Sequence, residues 1–362
     1  MINSVCGIGS TGRICTEIAG QMESEGHEVR IAYGREPVPE QYQKYGVRIG
    51  GKADLMLHGL RSRLLDGHGL GSRRATKHFL KWAEEYNPDL LWLHNIHGYY
   101  IHYELLFAWI KQRPQMKVRW TLHDCWAFTG HCSYFSLIGC DRWKQGCSAC
   151  PQRRNYPASV LLDRSEDNYR RKKAAFTGVS DLTLITPSQW LADLAADSFL
   201  GAYPTEVRHN TINTEVFRPT PGDFREKYGL EKKIIILGVA GTWSVRKGMN
   251  DFVALAERLD ERYAIVMVGL DQVSEEIRRS RIIPIARTDS AQELAQIYTA
   301  ADVFFNPTYQ DNYPTVNLEA QACGTRVITY DTGGAKETIY TGNSAVIPQG
   351  DLDEAERLIR LL

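Results

Sequence analysis

The chain has 362 residues, 43% hydrophobic and 24% charged, with Lys and Arg totalling 43 and Asp and Glu also 43. That length suits two domains of ordinary size with real cores, and the even charge balance argues against a nucleic-acid binder, which normally carries a basic excess. No run of about 18 apolar residues occurs, so no membrane-spanning helix is expected.

The N-terminal stretch MINSVCGIGSTGR lacks a basic segment followed by an apolar one, so no signal peptide is expected. The expected compartment is a reducing cytoplasm, where clustered cysteines lean toward metal rather than disulfides. A short strand, INSVC, leads into a helix from Thr11 to Glu25 and a strand, EVRIAYG. The basic, glycine-spotted stretch from Lys52 to Lys77 reads as a mobile loop plus a helix, followed by helix KHFLKWAEEY and strand LLWLHNI. Helix YELLFAWIKQ precedes strand KVRWTLHD, and the cysteine-rich loop 125–151 comes next. A charged helix, DRSEDNYRRKKAAF, then leads to strand LTLITPS, a helix from Trp190 and strand TEVRHNTI. Residues 213–231, with two prolines, Gly222 and many charges, read as a linker plus a short helix. Strand and helix then alternate regularly from IIILGVAG to SAVIPQG. The alternation predicts α/β domains with parallel sheets, 1–212 and 213–362, Rossmann-like and facing each other across a cleft. Ligands in such folds sit outside the C-terminal ends of the strands.

Three stretches carry chemistry. Gly7-x-Gly9-x-x-Gly12 follows a strand and opens a helix, which is the dinucleotide fingerprint in its usual context. The acid that should end the second strand comes late, as Glu36 after Arg35. Dinucleotide binding, a tight turn without a ligand, and a loop for a substrate or donor phosphate all stay open. In GTWSVRKGMNDF, Arg246 and Lys247 lie between a strand and a helix, where adjacent cations neutralise a diphosphate. In NPTYQDNYPTVNLEAQACGTRVI, Asp311 precedes a helix whose N-terminus, at Thr315 and Val316, offers free N–H groups and a positive dipole. Glu319, one turn on, suits a pair of vicinal hydroxyls. The plain alternatives are a solvated cation pair, a capping acid and an exposed helical Glu.

Together GTWSVRKG, DNYPTVNLEAQACGTRVI, TPSQWLADLA, HNTINTEVFRP and GSTGR…GHEVRIAYG resemble the family-4 retaining glycosyltransferases of the GT-B fold. LHNIHGYY, TLHDCWAFTGHC and CDRWKQGCSACP resemble a bacterial subgroup of cell-surface polysaccharide synthesis. The resemblance implies transfer of a sugar from a UDP- or GDP-sugar to a saccharide or lipid-linked saccharide acceptor, with retention of anomeric configuration. It implies that Arg246 and Lys247 hold the donor diphosphate, Glu319 the ribose and Asp311 the sugar hydroxyls. It also puts Gly9 and Ser10 near the phosphate, His123 near the reacting sugar, and Ile285 and Arg287 at the nucleobase. Asp311 stands where the family usually has Glu, and Ser10 where it usually has Gly. Members often start a few residues earlier and end with a longer helix. No Asp-x-Asp ends a mid-chain strand, so metal-independent transfer is expected, with cations and a helix N-terminus stabilising the leaving diphosphate. Two other readings are an NAD(P)-dependent oxidoreductase using GIGSTG and a zinc-ribbon interaction protein built on the cysteines.

Of the remaining residues, His94, Asn95 and His97 follow a buried strand and suit either acceptor binding or a loop role. Tyr99 and Tyr100 suit sugar stacking or packing. The run Arg170 to Lys173 reads as a solvated face, or a peripheral contact with the inner face of a membrane. Cys6, Cys15 and Cys323 read as small core residues. Cys132, Cys140, Cys147 and Cys150 contain a single CxxC, which leaves three states open: a structural zinc site of all four, one or two disulfides, or packed free thiols.

Overall fold

A parallel strand pairs with its successor only after a crossover, and the crossovers here are helices. The computed structural model describes residues 1–271 and 273–362. Two compact units divide the chain, Met1–Arg208 and His209–Leu362. In unit 1 the strands are β1 (Ile31–Tyr33), β2 (Gly46–Arg48), β3 (Leu90–Leu93), β4 (Lys117–Thr121), β5 (Leu182–Thr186) and β6 (Thr205–Val207). Its helices are α1 (Gly9–Ser24), α2 (Lys52–Leu65), α3 (Arg73–Tyr86), α4 (Tyr103–Lys111), α5 (Ser165–Phe176) and α6 (Gln189–Ala196). In unit 2 the strands are β7 (Ile234–Val239), β8 (Tyr263–Val268), β9 (Ile282–Ile285), β10 (Val303–Asn306), β11 (Arg326–Tyr330) and β12 (Ala345–Ile347). Its helices are α7 (Phe224–Lys227), α8 (Met249–Arg258), α9 (Glu275–Arg279), α10 (Ala291–Ala300), α11 (Thr315–Ala322) and α12 (Leu352–Ile359).

The sheet of unit 2 runs β12-β11-β10-β7-β8-β9, all parallel. Unit 1 has the ladders β1-β2 and β3-β4-β5-β6, also parallel. INSVC does not form the full strand expected. Instead Ile2 alone bridges β1 at Ala32 and β3 at Leu93, with its N–H on the Trp92 carbonyl and its carbonyl accepting from His94, both at 2.9 Å. This single residue joins the two ladders. In both units the first strand position therefore lies between the second and the fourth. The loops that follow it run to opposite sides there, which leaves a crevice.

Both faces of each sheet are buried. In unit 2, Ile236 and Phe305 point to one face while Leu237 and Phe304 point to the other, as the two-residue period of a strand requires. In unit 1, Phe107, Trp120 and Phe176 pack with ring centroids 4.6–5.4 Å apart, locking α4 and α5 onto β4. Burial of each such ring stabilises by roughly 1.5–3 kcal/mol. Cys6, Cys15 and Cys323 are buried, as their sequence context suggests.

The stretch from Lys52 to Lys77 is mostly helical, in α2 and the start of α3, rather than a loop plus one helix. The basic run of α5 is not a uniform solvated face either. Arg171 makes a bidentate pair with Glu104, at 2.8 Å for both contacts. Lys172 is buried, donates to the carbonyls of Trp126 at 2.7 Å and Thr129 at 3.0 Å, and lies 3.5 Å over the Trp126 ring. It pins the start of the cysteine loop to α5.

Of the three states open for Cys132, Cys140, Cys147 and Cys150, neither the zinc site nor the disulfides are supported. Among the described residues no group of three or more His, Cys, Asp or Glu could hold a metal ion. All eight cysteines are free thiols. Other contacts set the loop's shape. Phe135 stacks on Trp143 at 4.9 Å, and Phe128 packs against Trp143 at 5.3 Å. His131 pairs with buried Asp66 at 2.6 Å, and the Cys150 N–H donates to Asp163 at 2.6 Å. Within that frame the thiols make weak hydrogen bonds. Cys132 hydrogen-bonds Cys150, and the Cys147 sulfur accepts the Gly130 N–H at 3.1 Å.

Two outcomes are expected. Burial lowers the Lys172 ammonium to about 7, whereas an unfolded lysine holds its proton to about 10.4. The unfolded chain thus binds more protons in that window, so the stability contributed by Lys172 rises with pH across it. The denaturation midpoint of the wild type should gain on that of Lys172→Met from pH 7 toward pH 10; a constant gap would show the amine charged. Second, the Cys132 S–H donated to Cys150 lowers the Cys150 pKa and favours its thiolate. Iodoacetamide at neutral pH should mark Cys150 before the other cysteines, and Cys132→Ala should slow it; equal rates in both proteins, read by mass spectrometry, would count against the pair.

Candidate active site

In unit 2 the loops after β7 and β10 meet at the point where the strand order reverses. The first carries Val245–Lys247 as one 3₁₀ turn, closed by Gly248 at φ +74°. A Cβ at Gly248 would lie 2.2 Å from the Pro307 carbonyl, so only glycine lets the two loops touch. The contact is made twice more by backbone and side chain. The Tyr309 N–H donates to the Arg246 carbonyl at 2.8 Å, and the Arg246 guanidinium donates to the Gln310 carbonyl at 2.7 Å. Lys247 pairs with Asp311 at 2.5 Å, with both side chains largely covered. Asp311 also accepts the Asn312 N–H at 2.9 Å. Gly333, at φ +56°, lets the loop after β11 approach, since its Cβ would sit 1.9 Å from the Asp311 carbonyl.

Pro314 then starts α11, and Thr315 and Val316 are its first residues. Glu319 follows on the same helix, buried, accepting a 3.0 Å hydrogen bond from Tyr298. Burial, reinforced by the Glu319 charge, raises the Tyr298 phenol well above its usual range, so it stays a donor. Asn317 and Gln321 fix α11 from its other side through Asn306 and Thr338. Arg287, after β9, is exposed, pairs with Asp271 at 3.2 Å and reaches the Gly241 carbonyl at 3.4 Å. Sequence-expected Arg246, Lys247, Asp311, Thr315, Val316, Glu319 and Arg287 therefore all lie on loops or a helix start at the carboxyl ends of β7, β9 and β10.

In unit 1 the corresponding edge carries Gly9 and Ser10 at the start of α1, both exposed, with Gly9 at φ +64°. It also carries the loops after β3 and β4. His123 faces His94, with ring nitrogens 3.1 Å apart and rings stacked. Burial lowers His123 to about 4, against the pull of Asp124, so it is a neutral imidazole at neutral pH. Asp124 accepts the Trp126 N–H at 2.9 Å and pairs with His97 at 3.1 Å. The other His97 nitrogen lies 3.4 Å from the Tyr156 hydroxyl. Tyr100 is buried and donates to the Asn95 carbonyl at 2.7 Å, which makes it a packing residue. Tyr99 is only partly buried and contacts the His68 ring at 4.9 Å.

Sequence reading missed the groups that hold these residues. Asp124 was visible beside His123, but its pairing with His97 was not, and nothing near Tyr156 in the sequence marks it for this cluster. Tyr298 and the Gln310 carbonyl carry no motif of their own.

Unit 2 thus brings Arg246 and Lys247 together beside a helix N-terminus, and unit 1 gathers His94, His97 and His123 next to the Asp124 carboxylate. The family model described as Glycosyltransferase Family 4 matches residues 11–216, and the one described as Glycosyl transferases group 1 matches residues 231–362. A protein named as the colanic acid biosynthesis glycosyl transferase WcaC of Escherichia coli K12 is 25% identical over 285 residues, 76% of this chain and 67% of that one. D-inositol 3-phosphate glycosyltransferase of Corynebacterium jeikeium is 26% identical over 261 residues, so the match takes in 65% of this chain but only 58% of the relative. Among solved structures, sucrose-phosphate synthase from Thermosynechococcus elongatus superposes with a TM-score of 0.68 at 18% identity, covering 99% of this chain and 85% of that one. Anabaena HepE superposes at 0.63 and 16% identity, covering 99% and 89%. The shared fold is GT-B, and the chain belongs to Glycosyltransferase Family 4.

Proposed function

We propose that this glycosyltransferase moves a sugar from a UDP- or GDP-sugar to a saccharide or lipid-linked saccharide acceptor, with retention, in surface polysaccharide synthesis. The carrying observation is the junction of the loops after β7 and β10, where Arg246 and the Lys247–Asp311 pair are held beside the start of α11. Two cations and free helix N–H groups suit a leaving diphosphate better than a neutral ligand. Anabaena HepE has been solved with UDP and with UDP-glucose, which supports the donor class. The name of WcaC supports the polysaccharide role.

In this reading Arg246, Lys247 and the N–H groups of Thr315 and Val316 bind the diphosphate, and Glu319 the ribose. Asp311 accepts from donor-sugar hydroxyls, and Arg287 lies at the nucleobase. Gly9 and Ser10 offer N–H groups to a phosphate. His123, being neutral, acts at the reacting sugar as a hydrogen-bond partner rather than a charged acid. The bond from the anomeric carbon to the leaving phosphate oxygen breaks as the acceptor oxygen bonds to the same face. The acceptor proton passes to that phosphate oxygen, leaving the glycosylated acceptor and a nucleoside diphosphate. Charge on the leaving group is met by the two cations, so transfer is expected to proceed without a metal. Work at the cytoplasmic face of the membrane fits a lipid-linked acceptor. No helix among the described residues is long and apolar enough to cross a membrane.

A thermal-shift series with UDP, GDP, their sugars and NADPH tests the donor class. UDP or GDP should raise the melting temperature; if neither does while NADPH raises it, the dinucleotide reading of GIGSTG replaces this one. Arg246→Ala should lower transfer about a hundredfold or more, the scale of losing one charge-stabilising donor. Its melting temperature should change little, because the residue is only partly buried. Full activity in that variant would refute the diphosphate role.

A further inference from the structure

Helix α2 is amphipathic in the wrong sense for a surface helix. Its most deeply buried positions are polar, with Leu55 alone of its leucines packed against the core. His58 and Ser62 are each 1% exposed, and so is Asp66 just beyond the end. Its outward positions are apolar, with Met56 76%, Leu57 68% and Leu60 54% exposed. A surface helix in water normally turns the other way.

The orientation is locked rather than accidental. His58 Nε2 accepts the N–H groups of Gly69 and Gly71, both at 3.1 Å, and Nδ1 meets the Ser72 hydroxyl at 2.9 Å. Ser62 meets His68 at 3.3 Å, and Asp66 holds His131. Rotating α2 to bury its leucines would strand these groups, at a cost of about 1–3 kcal/mol for each.

A second segment extends the apolar face. The Val160 N–H donates to the Arg63 carbonyl at 2.6 Å, and the Leu162 N–H to the Leu64 carbonyl at 3.3 Å. That sets Val160, 58% exposed, and Leu161, 62% exposed, beside the C-terminal turn of α2. An open groove of about 460 Å³ runs along α2, lined by Leu57, Leu60, Leu64, Leu65 and Leu70. Contiguous exposed apolar surface of this kind marks an interaction site.

Charge says what covers it. Exposed Arg61 and Arg63 lie on α2, and exposed Arg73, Arg74 and Lys77 on the first turns of α3. Arg153 donates to the Leu161 carbonyl at 3.0 Å. The one acid of α2 itself, Asp54, is engaged by the Gly51 N–H at 2.9 Å. The chain as a whole is balanced, so this excess is local. Leucines flanked by arginines fit an acyl boundary beneath anionic phosphates. A second copy fits poorly, because it would bring like charges face to face.

We propose that α2 and the Val160–Leu162 segment form a docking surface for an anionic lipid bilayer. The surface deepens the lipid-linked acceptor reading and rests on it for its role in transfer. The inward side of α2 touches Tyr99 through His58, at 5.9 Å between rings, and Tyr99 joins the His68–His97 cluster. A docked α2 would hold that cluster about 10 Å, one helix diameter, from the lipid.

Co-sedimentation with phosphatidylcholine vesicles, with and without phosphatidylglycerol, tests the surface, alongside a UDP thermal shift on each protein. The wild type should bind the anionic vesicles, more weakly at high salt. Leu57→Glu with Leu60→Glu should weaken partitioning by about tenfold per leucine, the scale of one buried side chain. Arg61→Glu with Arg63→Glu should weaken it about fivefold per arginine. The UDP shift should persist in all variants. Absent binding to anionic vesicles, equal binding to neutral ones, or a dimer dispersed by the leucine substitutions would each overturn the surface. A missing UDP shift with vesicle binding intact would instead count against the donor reading alone.

Discussion

Parallel pairing forces every strand of a unit to deliver its carboxyl end to one edge, and the order of strands decides where along that edge a ligand fits. In unit 2 the order places β7 between β8 and β10, so the loops after β7 and β10 leave in opposite senses and meet over a crevice. Arg246, Lys247 and Asp311 are together for that reason, although 64 residues separate Lys247 from Asp311. Gly248 and Gly333 make the meeting close, since a side chain at either would strike the facing loop. In unit 1 the same order depends on one residue, Ile2, whose two bridges turn two ladders into one sheet.

Electrostatics follows from that geometry. The cations of unit 2 are partly covered and already engaged by carbonyl and carboxylate oxygens, which orients them without long side-chain searches. Burial lowers the His94 and His123 imidazoles, and the Asp124 carboxylate pairs with His97 beside them. Cationic side chains and histidines are thus divided between the two units, and the proposed roles, diphosphate for one and acceptor for the other, rest on that division.

Much of the architecture was legible in the sequence. The alternation of strands and helices, the position of α11 after Asp311, and the Arg246-Lys247 turn all follow from local pattern and spacing. The errors share a cause. INSVC looks like a strand, but only Ile2 has neighbours on both sides. Lys172 looks solvated in a run of basic residues, yet helical rotation turns it under Trp126. The four cysteines left zinc, disulfides and packed thiols open, and they are free thiols in a loop packed around Phe128, Phe135 and Trp143, with Cys132 hydrogen-bonded to Cys150. The stretch from Lys52 to Lys77 looked like a loop plus one helix because the most deeply buried positions of α2 are polar and most of its leucines face outward, which weakens the usual periodic signal.

By itself the sequence determined which residue types were available and the order in which elements form, because propensity and periodicity act over a few residues. It marked Arg246, Lys247, Asp311 and Glu319 as chemistry-bearing for the same reason. Only the tertiary structure decided their partners: Gln310 for Arg246, Tyr298 for Glu319, His97 and Tyr156 around Asp124. Those contacts span tens of residues, and strand order and helix rotation set them, neither of which a local window of sequence contains. The state of the HCSYFSLIGCDRWKQGCSACP loop was decided the same way, by aromatic packing and by Asp66 reaching His131 from a distant helix end.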